Sequence, residues 1–251
     1  MFDRFDLRYV LPNTVTAASL VMAMVAIVLA SRGEHASAAW LIVWCALLDR
    51  LDGVVARWLD ACSEFGVHFD TLADLLAFCV APALLVYFVL QDDPRYAPVF
   101  TPYPARAVLL ASVGIYCLFG ALRLARFNIQ TRSIGPKWSR GLPVTMAAGL
   151  VSTFILTAWE RSLPQVVAAS PIVLWVCAAF MISHLWLPKS LGKGSRVPFV
   201  LQALGATAIY GLGFSRAHPT ILLAAALVYP GLGFVYGGLR PPTSSRASGA
   251  H

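Results

Sequence analysis

The chain has 251 residues, 59% of them hydrophobic and 12% charged, with a net charge of +7 and a mean hydropathy of +0.72. A soluble domain carries roughly 25% charged residues, so this composition excludes an ordinary soluble globular protein and puts most of the chain in lipid. The basic residues sit in short loops between apolar runs, as membrane topology requires, so no nucleic-acid partner is expected.

Residues 1–13 mix aromatic and charged side chains (FDRFDLRYV) and fit either a short interfacial helix or a simple polar lead-in. Apolar segments follow at about 14–31, 36–58, 67–90, 104–126, 142–159, 165–187, 197–214 and 219–239. Each is long enough to cross a bilayer, which takes roughly 20 residues, and a helix satisfies its own backbone hydrogen bonds there. The first run, preceded by Arg4 and Arg8, has the outline of a signal peptide, but more spans follow it and it is read as a retained helix. The expected fold is an all-α polytopic transmembrane bundle of about eight spans over residues 14–239. Residues 240–251 (RPPTSSRASGAH) form a polar tail expected to be disordered.

Cys45, Cys62, Cys79, Cys117 and Cys177 form no CxxC pair, and four of them lie inside apolar runs. Neither a disulfide framework nor a zinc site is indicated. Arg32, Arg95, Arg106, Arg161 and Arg216 fall on one side of the bundle, and the other 14 of the 19 basic residues on the opposite side. The richer side is cytoplasmic by the positive-inside rule. Both termini and the connection between the second and third spans are then inside, in a cell-membrane protein.

Of only 12 acidic residues, four make a pattern at that connection: Asp49, Asp52, Asp70 and Asp74. Residues three or four apart share a helix face, so each pair points one way, and a short loop makes the two helices antiparallel neighbours. Four carboxylates converging in a partly desolvated place repel one another unless protons or cations neutralise them. Oxygen ligands without nearby His or Cys favour hard divalent ions such as Mg²⁺ or Mn²⁺. The plain alternative is a set of solvated helix-end acids paired with Arg50 and Arg57. Gly53 and Ala56 leave room for a phosphate near the backbone and Arg57 can fork onto it, although both small residues also suit helix packing. Gly66 could serve as a turn residue.

The run Asp49-x2-Asp52-Gly53-x2-Ala56-Arg57-x8-Gly66-x3-Asp70-x3-Asp74 resembles the signature of the CDP-alcohol phosphotransferase family at all eight fixed positions. The resemblance implies a dimeric helical membrane enzyme with two divalent cations at the cytoplasmic face. By position, Asp49, Asp52, Asp70 and Asp74 would hold the metals, Asp70 bridging both, and Asp74 would also be the general base. Gly53, Arg57, Ser63 and Gly66 would contact the CDP-lipid. The stretch Pro12-Asn13-Thr14-Val15-Thr16 is similar to the family's nucleotide-touching start of the first helix, making Asn13 and Thr16 candidate contacts; it could equally be a helix N-cap. The expected donor is CDP-diacylglycerol.

Asp70-Thr71-Leu72-Ala73-Asp74, the run from Ala77 to Ala83, Ala121 to Asn128, and Gly141-Leu142-Pro143 resemble the bacterial and archaeal branch of that family that uses L-serine. Val144-Thr145 follows Gly-Leu-Pro where Ser-Pro is usual. Arg123, Arg126 and Asn128 are the candidate acceptor contacts. The two arginines could hold the serine carboxylate or a substrate phosphate, or could simply snorkel to the interface. The same chemistry with glycerol 3-phosphate, an inositol phosphate or choline is the nearest alternative. An ion-coupled transporter would spread its acids at mid-membrane, and a non-catalytic scaffold would have no use for four acids in one place.

Overall fold

A computed structural model describes residues 7–58, 64–134, 138–188 and 209–239, with side chains over 13–49, 64–129, 139–187 and 209–238. The fold is a helical bundle with one small ribbon: α1 (Leu7–Ser31), α2 (His35–Trp58), α3 (Glu64–Asp74), α4 (Ala81–Asp92), α5 (Ala97–Phe100), α6 (Ala105–Ile134), α7 (Val144–Glu160), α8 (Pro164–Ala168), α9 (Ser170–Ile182) and α10 (Pro219–Leu239). A π-helical stretch, Leu75–Val80, joins α3 to α4. Among the described residues, four continuous helical stretches are long and apolar enough to span a membrane, namely Asn13–Ser31, Glu64–Asp92, Ala105–Ile129 and Pro219–Gly238. Shorter apolar helices stand beside them at His35–Asp49, Val144–Glu160 and Ser170–Ile182. The chain is a multi-pass membrane protein. Most of the expected seventh span, 197–208, and the tail 240–251 lie outside the described residues, as does the segment 1–6.

Packing follows small residues. Ala23, Ala26 and Ala30 on α1 and Ala38 and Ala39 on α2 are fully buried, and these two helices lie against each other over much of their length. With lipid on the outside, helices associate through close van der Waals contact, which small side chains permit. Val21, Met24, Val25 and Val28 point outward, as a lipid-facing stripe on α1 should.

Several elements differ from the expected spans. The segment 165–187 is not one helix: α8 ends at Ala168, α9 starts at Ser170, and the chain after Ile182 turns into a strand. Pro171 in the first turn of α9 fixes where that helix begins, since proline has no N–H to give a preceding turn. Gly66 sits inside α3, which starts at Glu64, and is not a turn residue. The first helix begins at Leu7, within the segment expected as a separate lead-in.

A two-stranded antiparallel ribbon, β1 (Trp138–Arg140) against β2 (Trp186–Pro188), pairs Ser139 with Leu187 and Arg140 with Trp186. It closes the end of the bundle where α6, α7 and α9 meet. Gly141 follows β1 with a φ of +71°, and an added Cβ would collide with the carbonyl oxygen of Met181. Only glycine suits that site without strain. Gly237 on α10 lies against the Trp186 carbonyl with no room for a Cβ, so the ribbon also docks onto the last helix.

Candidate active site

The π-helical stretch follows directly on Asp74. The Pro82 nitrogen carries no hydrogen, so the Phe78 carbonyl loses the donor that an α-helix would supply from residue 82. The Tyr116 hydroxyl, fully buried on α6, donates to that carbonyl at 3.1 Å. Cys117 Sγ donates to the Cys79 carbonyl at 3.3 Å. Irregular helix in lipid survives only when such partners re-satisfy the backbone, and widened turns of this kind recur at functional sites. The result is one nearly continuous rod from Glu64 to Asp92, with the signature acids Asp70 and Asp74 toward its first end and much of its apolar surface in the core.

At that end three of the four signature acids converge. Carboxylate oxygens of Asp49, Asp70 and Asp74 all lie within 4.8 Å of one another, and each residue is half-buried. Asp49 comes from α2 and the other two from α3, where a spacing of four puts Asp70 and Asp74 on one face. Oxygens around one hard cation are at most about 4–5 Å apart, so the carboxylates are close enough to share a metal ion without rearrangement. The donor set is all oxygen, which suits a hard divalent ion. The side chains of Asp52, Gly53 and Arg57 lie outside the described residues, and so does Ser63.

Neighbouring helices hold the cluster. Thr145 Oγ1, in the first turn of α7, donates to Asp49 Oδ2 at 3.4 Å. Asn128 Nδ2, near the end of α6, donates to Thr71 Oγ1 at 3.0 Å, and the Thr71 hydroxyl donates to the Val67 carbonyl at 2.8 Å. Asn128 therefore pins α6 to α3 one residue beyond Asp70. It was a candidate acceptor contact; its amide nitrogen is engaged in this link.

The two arginines of α6 separate sharply. Arg126 donates from Nη1 to the Ile182 carbonyl at 3.1 Å. From Nη2 it reaches the carbonyls of Arg140, Met181 and Ser183 at 3.3, 3.4 and 3.1 Å. It closes the C-terminal end of α9, whose last carbonyls have no helical partner, and ties that end to the ribbon. Arg123, one turn earlier, is only 7% exposed and lies within electrostatic reach of Asp74 and Asp49. Its Nη2 sits 3.5 Å from Ser139 Oγ, and its guanidinium carbon lies 5.1 Å from the centre of the Phe127 ring. A buried cation costs energy unless charge or hydrogen bonds offset it, and the acids offset part of that cost.

Of the candidate nucleotide contacts on α1, Thr16 is buried, Asn13 is half-buried, and both sit well inside the helix. Neither is a cap, because α1 begins six residues before Asn13. Gly66, in the first turn of α3, is half-buried. Sequence reasoning did not pick out Thr145 or Tyr116. Thr145 was visible only as a departure after Gly141-Leu142-Pro143, and Tyr116 was an aromatic in an apolar run.

Residues 9–185 match the model of the CDP-alcohol phosphatidyltransferase family. Over 148 residues the chain is 40% identical to a Helicobacter pylori protein named CDP-diacylglycerol–serine O-phosphatidyltransferase, covering 59% of this chain and 58% of that one. It is 31% identical over 187 residues to the archaetidylserine synthase of Methanothermobacter thermautotrophicus, covering 74% and 72%. A Methanocaldococcus jannaschii protein, also named CDP-diacylglycerol–serine O-phosphatidyltransferase, is 32% identical over 191 residues, covering 75% and 80%. The match thus spans little more than half the length of the Helicobacter relative.

Proposed function

Since the chain belongs to the CDP-alcohol phosphatidyltransferase family, we propose that it transfers the phosphatidyl group of CDP-diacylglycerol to L-serine, giving phosphatidylserine and CMP. The observation that carries this reading is the convergence of Asp49, Asp70 and Asp74 beside the buried cation of Arg123. The relatives named for serine transfer support the choice of acceptor.

Asp49, Asp52, Asp70 and Asp74 would hold two divalent cations, Mg²⁺ or Mn²⁺, which when bound neutralise the pyrophosphate and stabilise the departing CMP. Asp74 accepts the proton of the serine hydroxyl. The serine oxygen then bonds to the β-phosphorus, next to the diacylglycerol, as the bond from that phosphorus to the oxygen shared with CMP breaks. Gly53, Arg57, Ser63 and Gly66, with Asn13 and Thr16 on α1, would contact the CDP moiety. Arg123 receives the serine carboxylate, and Arg126, through its carbonyl ties, keeps the ribbon closed over that place. Holding the alcohol against the phosphorus is what lets it out-compete water.

The carboxylate end of the bundle faces the cytoplasm of the cell membrane, in keeping with the excess of basic residues on that side, and the working unit is a homodimer. Release of CMP from CDP-diacylglycerol, measured with serine, glycerol 3-phosphate, an inositol phosphate and choline in parallel, tests the assignment. Serine should be the preferred acceptor. A faster rate with glycerol 3-phosphate would reject serine, and no CMP release with any alcohol would reject the reaction class.

A further inference from the structure

We propose that Tyr116 of α6 is a positioning residue for Asp70 and Asp74: by holding the widened turn after Asp74, it sets the rotation at which α3 presents its acids. The proposal rests on the transfer reading above for the chemistry those acids perform.

A π-helical turn closes its hydrogen bonds five residues back instead of four, and here the Ala81 N–H reaches the Leu76 carbonyl. One such turn takes up an extra residue, which on an α-helix amounts to a rotation of about 100°. The turn therefore fixes the phase of α3 against α4. Ala81, Leu85, Val86 and Val89 anchor α4 in the core. With α4 held there, loss of the extra residue would swing Asp70 and Asp74 about 100° round the rod. Their convergence with Asp49 of α2 depends on the phase that the widened turn supplies.

Pro82 permits the turn but does not hold it, because it takes a donor from the Phe78 carbonyl and offers none in return. One face of α6 holds it instead. The buried Tyr116 hydroxyl donates to the Phe78 carbonyl, and Cys117 Sγ to the Cys79 carbonyl. A thiol is the weaker donor, so the hydroxyl carries most of the hold. Gly120, four residues on and thus on the same face as Tyr116, gives the turn its room: an added Cβ there would collide with Cys79 Sγ. Arg123, seven residues on from Tyr116, continues that face and lies within electrostatic reach of Asp74. The helix that carries the buried cation is thus also the template for the turn that aims the acid toward it.

The test uses the full chain in detergent and the variant Tyr116→Phe, which keeps the ring and removes the hydroxyl. Changing a residue that orients metal ligands from behind typically costs about 10–100-fold in metal affinity or activity. Titration of Mn²⁺ followed by electron paramagnetic resonance should therefore show affinity weakened by about tenfold or more. At saturating Mn²⁺, kcat should fall by about tenfold or more, while the KM for serine changes little because Arg123 stays in place. A second variant combines Tyr116→Phe with Pro82→Ala, whose new N–H can serve the Phe78 carbonyl in an ordinary α-helical turn. Thermal stability should then return toward the parent value, while Mn²⁺ affinity and kcat stay low because the turn has lost its extra residue. Parent values of Mn²⁺ affinity and kcat in Tyr116→Phe would overturn the proposal. Recovery of both in the double variant would overturn it too, and would reduce Tyr116 to a stabiliser of the bundle. If Tyr116→Phe alone does not fold, the Mn²⁺ affinity of the double variant decides. A parent chain that binds Mn²⁺ but releases no CMP would overturn the transfer reading, and the Mn²⁺ comparison would still decide the role of Tyr116.

Discussion

Thr145 on α7 donates its hydroxyl hydrogen to Asp49 on α2 across a 3.4 Å gap, so a helix that carries none of the signature acids fixes one of them. The bond is long, and a hydrogen bond to a carboxylate at ordinary length is worth roughly 1.5–3 kcal/mol. Thr145→Val keeps the shape and removes the donor. At about 1 kcal/mol the loss amounts to roughly a fivefold weaker hold on the divalent ion. Titration of Mn²⁺ followed by electron paramagnetic resonance should show that shift, and Thr145→Ser should restore the parent value. Identical Mn²⁺ affinity in parent and Val variant would remove Thr145 from the site.

Three carboxylates with oxygens within 4.8 Å repel one another when no cation separates them. Activity should therefore vanish in EDTA and return with Mg²⁺ or Mn²⁺. Asp49→Asn and Asp70→Asn should each abolish turnover while leaving thermal unfolding in detergent unchanged or at a higher temperature, because one of the repelling charges is gone. Full activity in exhaustively chelated buffer would eliminate the metal role.

The ribbon depends on Gly141. Its φ of +71° and the Met181 carbonyl against its open side make Gly141→Ala costly by about 1–3 kcal/mol from backbone strain alone. Gly114, inside α6 with nothing within 4 Å of an added Cβ, is the control. Gly114→Ala should be neutral or slightly stabilising, as alanine is the better helix former. Thermal unfolding of the two variants side by side decides; equal midpoints would mean the left-handed position carries no strain.

The span pattern and the acid cluster were legible because both rest on periodicity. Asp49, Asp70 and Asp74 meet because Asp70 and Asp74, four apart, share a face of α3, and α1 packs against both α2 and α3. What was not legible depends on contacts between residues far apart in the chain. The break at Ala169 follows from the short α8 and the proline of α9, within a run whose hydropathy is uniform. The ribbon pairs two three-residue strands separated by α7, α8 and α9, too short for any alternation to register. The opposite roles of Arg123 and Arg126 are also invisible at a spacing of three. The packing of α9 and the ribbon against α6 presents four carbonyls to Arg126, while α2 and α3 bring acids within electrostatic reach of Arg123.

Sidedness has a direct chemical test in exposed residues at opposite ends of the bundle. Glu64 is exposed in the first turn of α3, and Tyr103, beyond α5, is 85% exposed. In a Cys62→Ser background, an impermeant thiol reagent added to intact cells should label Tyr103→Cys and spare Glu64→Cys. The described native thiols at Cys45, Cys79 and Cys177 are buried, and half-buried Cys117 lies within the apolar stretch of α6 with its Sγ on the Cys79 carbonyl, so all four should stay silent. Labelling of Glu64→Cys from outside would reverse the orientation and take the acids away from the cytoplasmic leaflet.

Chemistry and acceptor recognition should separate between Asp74 and Arg123. If Asp74 takes the proton of the attacking hydroxyl, Asp74→Asn should lower the maximal rate by about 10²-fold or more, with binding of CDP-diacylglycerol largely retained through the remaining acids. Arg123 is buried within electrostatic reach of those acids and its described hydrogen bond is a 3.5 Å contact with Ser139, so its guanidinium has donors to offer a carboxylate. Arg123→Ala should chiefly raise the KM for serine. Serinol, which has the hydroxyls and amine of serine but no carboxylate, should be a poor acceptor for the parent chain, and Arg123→Ala should discriminate less between the two. Arg126→Ala should behave differently, because its donors go to backbone carbonyls of α9 and the ribbon. It should lower thermal stability and the rates with serine and serinol together, without changing their ratio. Equal use of serine and serinol by the parent chain would refute the carboxylate role, and a changed ratio in Arg126→Ala would return that arginine to the acceptor site.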